Sequence, residues 1–401
     1  MTRFLFALFL ALYPVIMRAQ DYWTIEDRQD LETASSSTET LYLEFIGYTP
    51  DIDSLARQLG KEIYGLRLYS VKLSSTKSFQ KLISLQQLTI FSGTIREFDF
   101  NDLPSNLSVL NLFFKPKNIL NEQMLGPKKK MLATVSLTGR GWSNKNLIDI
   151  LQLSSIKEIQ LEKVDFRKID ISCLSPNIKK LTLVDCNLDD LISYELASFN
   201  MLTDLVIYKS KLKKLEALEK LPSLRKIEFV NCGLSSAKFI NRIPNLRFIS
   251  LRYNKLCGEV TLNNPSVELL DLSYNEIRVF GLENHTDDFK LDLSYNKLDS
   301  VYGLESDLEV FYFLGNDKPI RGLQSVEFDK LSCFSFSSQM TTFNFNTKEA
   351  NVIYYQSGET LEVLRKAVSD KTVLLPWLVT YGSRSLYNCE INHSLPSIKK
   401  L

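Results

Sequence analysis

Apolar residues recur along this chain in one spacing: apolar, two variable, apolar, one variable, apolar, two variable, a small polar residue, one variable, apolar. Leu246, Ile249, Leu251, Asn254 and Leu256 show it in full. The frame returns at Leu224, Ile227, Phe229, Cys232 and Leu234, and again at Leu202, Leu205, Ile207, Ser210 and Leu212. With the second apolar position as a marker, the series runs Leu41, Leu66, Leu88, Leu110, Val135, Ile159, Leu181, Leu205, Ile227, Ile249, Leu270, Leu291, Phe311 and Phe334, fourteen markers 20 to 25 residues apart. A fixed period of that size dictates an architecture before any local preference does. The apolar-x-apolar centre of each unit predicts a short strand with its inward side chains buried. Successive strands then stack in parallel about 4.8 Å apart.

This spacing resembles the leucine-rich repeat. The resemblance implies an α/β solenoid, a horseshoe or arc with a parallel β-sheet on its concave face and short helical or extended convex segments. The small polar position turns the chain inward, where a side-chain amide can satisfy backbone groups left unpaired by the turn. Asn254, Asn275, Asn296 and Asn316 form that ladder in the later repeats. Earlier repeats place Cys186, Ser210 and Cys232 there, or lose the position to Val71, Gly93 and Val164, so the amino-terminal half is the degenerate one. Units this short leave little room for a full helix. Leu212, Leu215, Leu218, Leu221, Leu224 and Ile227 follow every three residues, a stretch similar to the short-repeat class of bacterial internalins. That likeness covers roughly residues 38 to 340 and implies protein recognition through the concave sheet. No Leu-Pro-x-Thr-Gly sorting motif is present.

A solenoid needs covers at its ends. Residues 21–60 are expected to cap the first repeat, with a strand at Leu41 and Leu43 and a helix around Asp53 to Leu59. Residues 61–340 hold the repeats. Residues 341–401 fit the frame poorly and are expected to form the second cap, with a helix over Thr360 to Val368 and a strand over Val373 to Tyr381. Ahead of all this, residues 1–20 read as an export signal: Arg3 supplies a positive start, and Phe4 to Met17 form an apolar run interrupted by Tyr13 and Pro14. The run is too short to span a bilayer, and no other segment is long and apolar enough, so no transmembrane segment is expected once the signal is removed. The expected location is secreted or extracytoplasmic, in a periplasm or at a cell surface.

Charge narrows the partners. With 48 basic and 47 acidic residues the formal charge is +1, so no global field draws the chain to nucleic acid or an anionic membrane, and no nucleic-acid partner is expected. Six cysteines are present; none has zinc spacing, and Cys186 and Cys232 at the ladder position read as buried free thiols. The two histidines, His285 and His393, stand in polar segments without a nucleophile nearby. Asp271 and Asp292 share an outward position in adjacent repeats, but each sits in the repeat wording Leu-Asp-Leu-Ser-Tyr-Asn, with Lys290 and Arg252 near enough to neutralise them. No catalytic residue, metal or cofactor is expected.

Outward residues form columns across the strands. Glu158, Lys180, Asp204 and Lys226 alternate in sign, as do Lys163, Asp185 and Lys209, so the middle of the face reads as self-neutralised. Tyr69, Phe91 and Phe113 hold one outward column in three successive repeats, with Phe114 beside them. Such a stripe suits buried anchors for a protein or stacking platforms for a sugar. Phe248 and Leu269, followed by Val310, Tyr312 and Leu314, make a second apolar group, which the carboxy-terminal segment is expected to cover. Tyr208 and Arg252 complete the candidate partner-binding set of Tyr69, Phe91, Phe113, Phe114, Tyr208, Phe248, Arg252 and Leu269. The expected ligand is a protein, with a glycan as the alternative; an enzyme using the carboxy-terminal segment, residues 341–401, is the third and weakest reading.

Overall fold

A computed structural model describes residues 22–35, 40–60, 62–114, 118–119, 131–139, 144–188, 196, 198–284, 289–304, 308–316, 320–323, 333–336, 352–355 and 373–376. The export segment, both histidines and the helix expected over Thr360 to Val368 lie outside them. The described residues fall into two compact units, one within Arg18–Leu224 and one within Arg225–Leu401.

In the first unit, parallel strands follow one another in chain order: Trp23–Ile25, Leu41–Ile46, Ile63–Tyr69, Gln87–Phe91, Val109–Phe113, Thr134–Thr138, Glu158–Glu162, Lys180–Val184 and Asp204–Tyr208. The register joins marker to marker, Leu66 to Leu88 to Leu110 to Val135 to Ile159 to Leu181 to Leu205. The rung Trp23–Ile25 precedes the first marker and pairs with Leu43 to Phe45. Its three residues are too few to show a period. The helix Ile52–Leu59 is capped by the Asp51 carboxylate, which accepts from the Asp53 N–H, and it buries Ile52, Leu55 and Leu59.

In the second unit, Lys226–Val230, Phe248–Ser250, Leu269–Asp271, Phe289–Asp292, Leu308–Tyr312 and Cys333–Phe336 stack in the same parallel way. Pairing then runs on through Val352–Tyr355 and Val373–Pro376, two rungs within the segment expected to cap the repeats.

Inward leucines, isoleucines and phenylalanines are sealed, among them Leu66, Leu68, Leu88, Ile90, Ile249 and Leu251. The ladder forms. Asn254 Nδ2 donates to the carbonyls of Phe229 at 2.6 Å and Leu251 at 2.8 Å, while its Oδ1 accepts from the N–H groups of Cys232 and Leu234. Asn275, Asn296 and Asn316 repeat the pattern one rung on each time. In the degenerate repeats Ser210 Oγ accepts from Cys186 N–H, and the Cys186 Sγ sits 3.4 Å from the Leu161 carbonyl. Cys186 and Cys232 are buried free thiols, as expected, and burial pushes the Cys186 thiol up to about 11.

The side opposite the main sheet carries 3₁₀ turns, such as Leu215–Lys220 and Lys238–Arg242, and extended pieces. The extended pieces make small parallel sheets of their own: Lys72–Ser75, Thr94–Phe98 and Asn118–Ile119 in the first unit, and Cys257–Leu262, Glu276–Leu282 and Ser300–Tyr302 in the second.

Candidate functional site

Alternation along a strand sends every second side chain to the outer face of the sheet. In the first unit the register aligns Ile46, Tyr69, Phe91, Phe113, Thr138, Glu162, Val184 and Tyr208 in one outward column. The stripe therefore exists. Ring centroids lie 5.9 Å apart for Tyr69 and Phe91 and 6.0 Å for Phe91 and Phe113, with tilts of 50° and 54°. Phe91, Phe113 and Tyr208 are half-buried.

Two members of the expected set are corrected here. Tyr69 is only 7% exposed, lying between Ile46 and Phe91, with Glu44 beside its hydroxyl. Burial and that carboxylate push its phenol up to about 12, so it acts as a neutral packing group. Phe114 is 4% exposed and packs on Phe98 at 5.7 Å, inside the repeats. The residue after an outward one points to the opposite face, which separates Phe114 from Phe113.

The middle column of the same face runs Glu44, Arg67, Thr89, Asn111, Ser136, Gln160, Thr182 and Val206. At its start is a group that the repeat spacing did not reveal. The Arg67 guanidinium lies 3.5 Å from the centroid of the Tyr22 ring and pairs with Glu44 at 3.6 Å. The Tyr22 hydroxyl reaches Gln87 Oε1 at 3.2 Å, and the Tyr22 and Tyr42 rings meet edge to face at 5.4 Å. Gly65 makes this possible, since a Cβ there would stand 2.3 Å from Tyr42 Cδ1 and 2.8 Å from the Tyr22 hydroxyl. A glycine at an outward strand position is the signal that could have found it.

Of the charged columns, Glu158, Lys180 and Asp204 do align across strands. Lys163, Asp185 and Lys209 do not belong to strands at all. They sit in left-handed backbone, with φ of 56°, 51° and 50°, in the turn before the ladder position, and Lys163 pairs with its neighbour Glu162.

In the second unit Phe248 is half-buried, but Leu269 beside it is 3% exposed, and Val310, Tyr312 and Leu314 are buried as well. Leu269 is thus corrected from a contact residue to a packed one. Arg252 is half-buried, and its charge opposes the rise that burial imposes on the Asp271 carboxyl. Asp271 accepts from Ser273 N–H and Oγ and from Ser250 Oγ; Asp292 accepts from Ser294 N–H. Burial raises both carboxyls, that of Asp292 to about 8, with the neighbouring Asp271 charge adding to it. Lys290 pairs with Glu309 at 3.6 Å. Tyr253, Tyr274 and Tyr295 stack with centroids 4.2 and 4.4 Å apart.

No protein-family model matches the sequence, and no curated protein sequence matches it. Solved structures do. An internalin, InlF, from Listeria monocytogenes is 16% identical, with 66% of this chain and 80% of that one covered and a TM-score of 0.41. The Leptospira interrogans leucine-rich-repeat protein LIC12759 is 15% identical over 87% of this chain and 86% of that one, at 0.44. A complex of TLR13 with ssRNA13 contains a chain 17% identical, with 88% of this chain and 60% of that one covered, at 0.49. Rung register and coil length give both units the leucine-rich-repeat fold, an α/β solenoid, and the second unit adds the buried asparagine ladder.

Proposed function

We propose that this is an exported binding protein that holds a protein partner on the outer sheet face of the Arg18–Leu224 unit, with Phe91 and Phe113 as apolar anchors. The observation that carries this reading is the half-buried Phe91–Phe113 pair, in mutual contact with ring centroids 6.0 Å apart on the outer face of the sheet. Aromatic anchors of that kind supply much of the binding energy at protein interfaces. Export rests on Arg3 and the apolar run from Phe4 to Met17.

Capture experiments test this. The wild-type chain and a Phe91→Ala/Phe113→Ala variant are immobilised and challenged with surface and extracellular fractions. Any partner retained by the wild type should be at least about tenfold depleted on the variant, whose melting temperature is checked alongside. Equal retention removes the stripe as the site. Cleavage after about residue 20, read by amino-terminal sequencing, tests export.

A further inference from the structure

The middle column of the Arg18–Leu224 unit carries three consecutive side chains with a buried polar atom that has no partner: Asn111 Oδ1, Ser136 Oγ and Gln160 Nε2. These residues are 3%, 0% and 7% exposed. The strand register places them side by side, one per rung, directly next to Phe113, Thr138 and Glu162 of the stripe column. Asn111 Nδ2 donates to Thr89 Oγ1 at 3.0 Å, which holds the amide while leaving its oxygen unsatisfied. Buried polar groups are normally hydrogen-bonded, and each exception lowers stability. Among the described residues only Ser294, in the other unit, shows another. Packing does not demand polarity here, since Val206 fills the same column two rungs beyond Gln160.

We infer that Asn111, Ser136 and Gln160 form a subsite for the main chain of an extended peptide segment. The inference rests on the proposed function and names the chemistry of the partner. Asn111 Oδ1 can accept from a peptide N–H, Gln160 Nε2 can donate to a peptide carbonyl, and Ser136 Oγ can do either. Glu158 and Lys180 flank Gln160 in the neighbouring outward column, facing one another across the strands, and Lys163 pairs with Glu162. The three side chains of the subsite are themselves uncharged and suit uncharged amides. Beside it, the tilted Phe91 and Phe113 rings form a notch for one apolar side chain of the same segment. Access to these buried atoms requires a side chain to move, and Gln160, the least buried of the three at 7% exposed and with three rotatable side-chain bonds, is the one we assign to that role.

The test is a random peptide display library selected on the wild-type chain and counter-selected on an Asn111→Leu/Gln160→Leu chain. The expected clones bind the wild type at least about tenfold more tightly than the double variant, and N-methylation of one backbone amide in the selected peptide costs a similar factor. The double variant sheds two unpartnered atoms but also the Asn111–Thr89 hydrogen bond, so its melting temperature is measured alongside binding to separate lost affinity from lost fold. Ser136→Ala serves as the second variant if the double one does not fold. If no clone prefers the wild type, the subsite is overturned. Clones indifferent to the leucine substitutions but lost on Phe91→Ala/Phe113→Ala overturn it while leaving the proposed function standing. An oligosaccharide that binds the wild type and is lost on the double variant reassigns the ladder to a glycan and overturns the peptide.

Discussion

Lys163, Asp185, Lys209, Asn231, Tyr253, Tyr274 and Tyr295 share one backbone conformation, φ between 50° and 57°, at the residue before the ladder position. An L-residue there carries a cost of roughly 1–2 kcal/mol, which glycine avoids at the expense of some chain entropy. Gly315 fills the same place ahead of Asn316. Lys209→Gly should therefore stabilise the chain by about 1 kcal/mol, read from denaturant midpoints. Tyr274→Gly should gain less, because it also removes the stack with Tyr253 and Tyr295. At the same scale, the Asp292 carboxyl titrates at about 8 in the folded chain against an ordinary value of 3.8. The folded state keeps that proton longer than the unfolded one, so stability falls as pH rises from about 4 to about 8 and levels off above. Asp292→Asn keeps an oxygen for the Ser294 N–H, and it should flatten the slope and raise the melting temperature at pH 7. An unchanged slope in melts from pH 4 to 9 would show that Asp292 is not the buried acid.

The ladder asparagines tie elements together. Asn275 Nδ2 donates to the carbonyls of Leu251, Leu272 and Ser273, and its Oδ1 accepts from Leu256 N–H. Asn275→Ala leaves several of those groups buried and unpaired, so a loss of roughly 2–4 kcal/mol is expected in chemical denaturation. The Asn-x-apolar wording announced this ladder directly. The second sheets opposite it, such as Cys257–Leu262 with Glu276–Leu282, were less legible: segments between markers have no shared apolar frame, and their pairing depends on coils stacking in register. The same dependence hid the rung Trp23–Ile25, whose Tyr22 neighbour needs the space at Gly65.

Across the whole chain, a formal charge of +1 and ion pairs made within the face leave little field for a distant partner. Binding through Phe91 and Phe113 should then weaken less than about threefold between 50 and 500 mM salt, measured by calorimetry or surface resonance. A steep salt dependence would move the site from the aromatic pair to a charged surface.

Period and wording alone determined the repeat, the parallel strands, the ladder and the outward stripe, because each coil sees mainly its neighbours and a frame of 20 to 25 residues repeats the same contacts. Exposure was beyond their reach. Tyr69 and Leu269 occupy outward positions yet are buried, and Phe114 turns inward beside outward Phe113. So were the unpartnered atoms of Asn111, Ser136 and Gln160, each an ordinary polar residue in its own repeat. The frame already sets them one per repeat after Leu110, Val135 and Ile159; only the tertiary structure shows them buried and unpartnered, because burial and hydrogen-bond satisfaction depend on neighbours that lie more than twenty residues away in sequence.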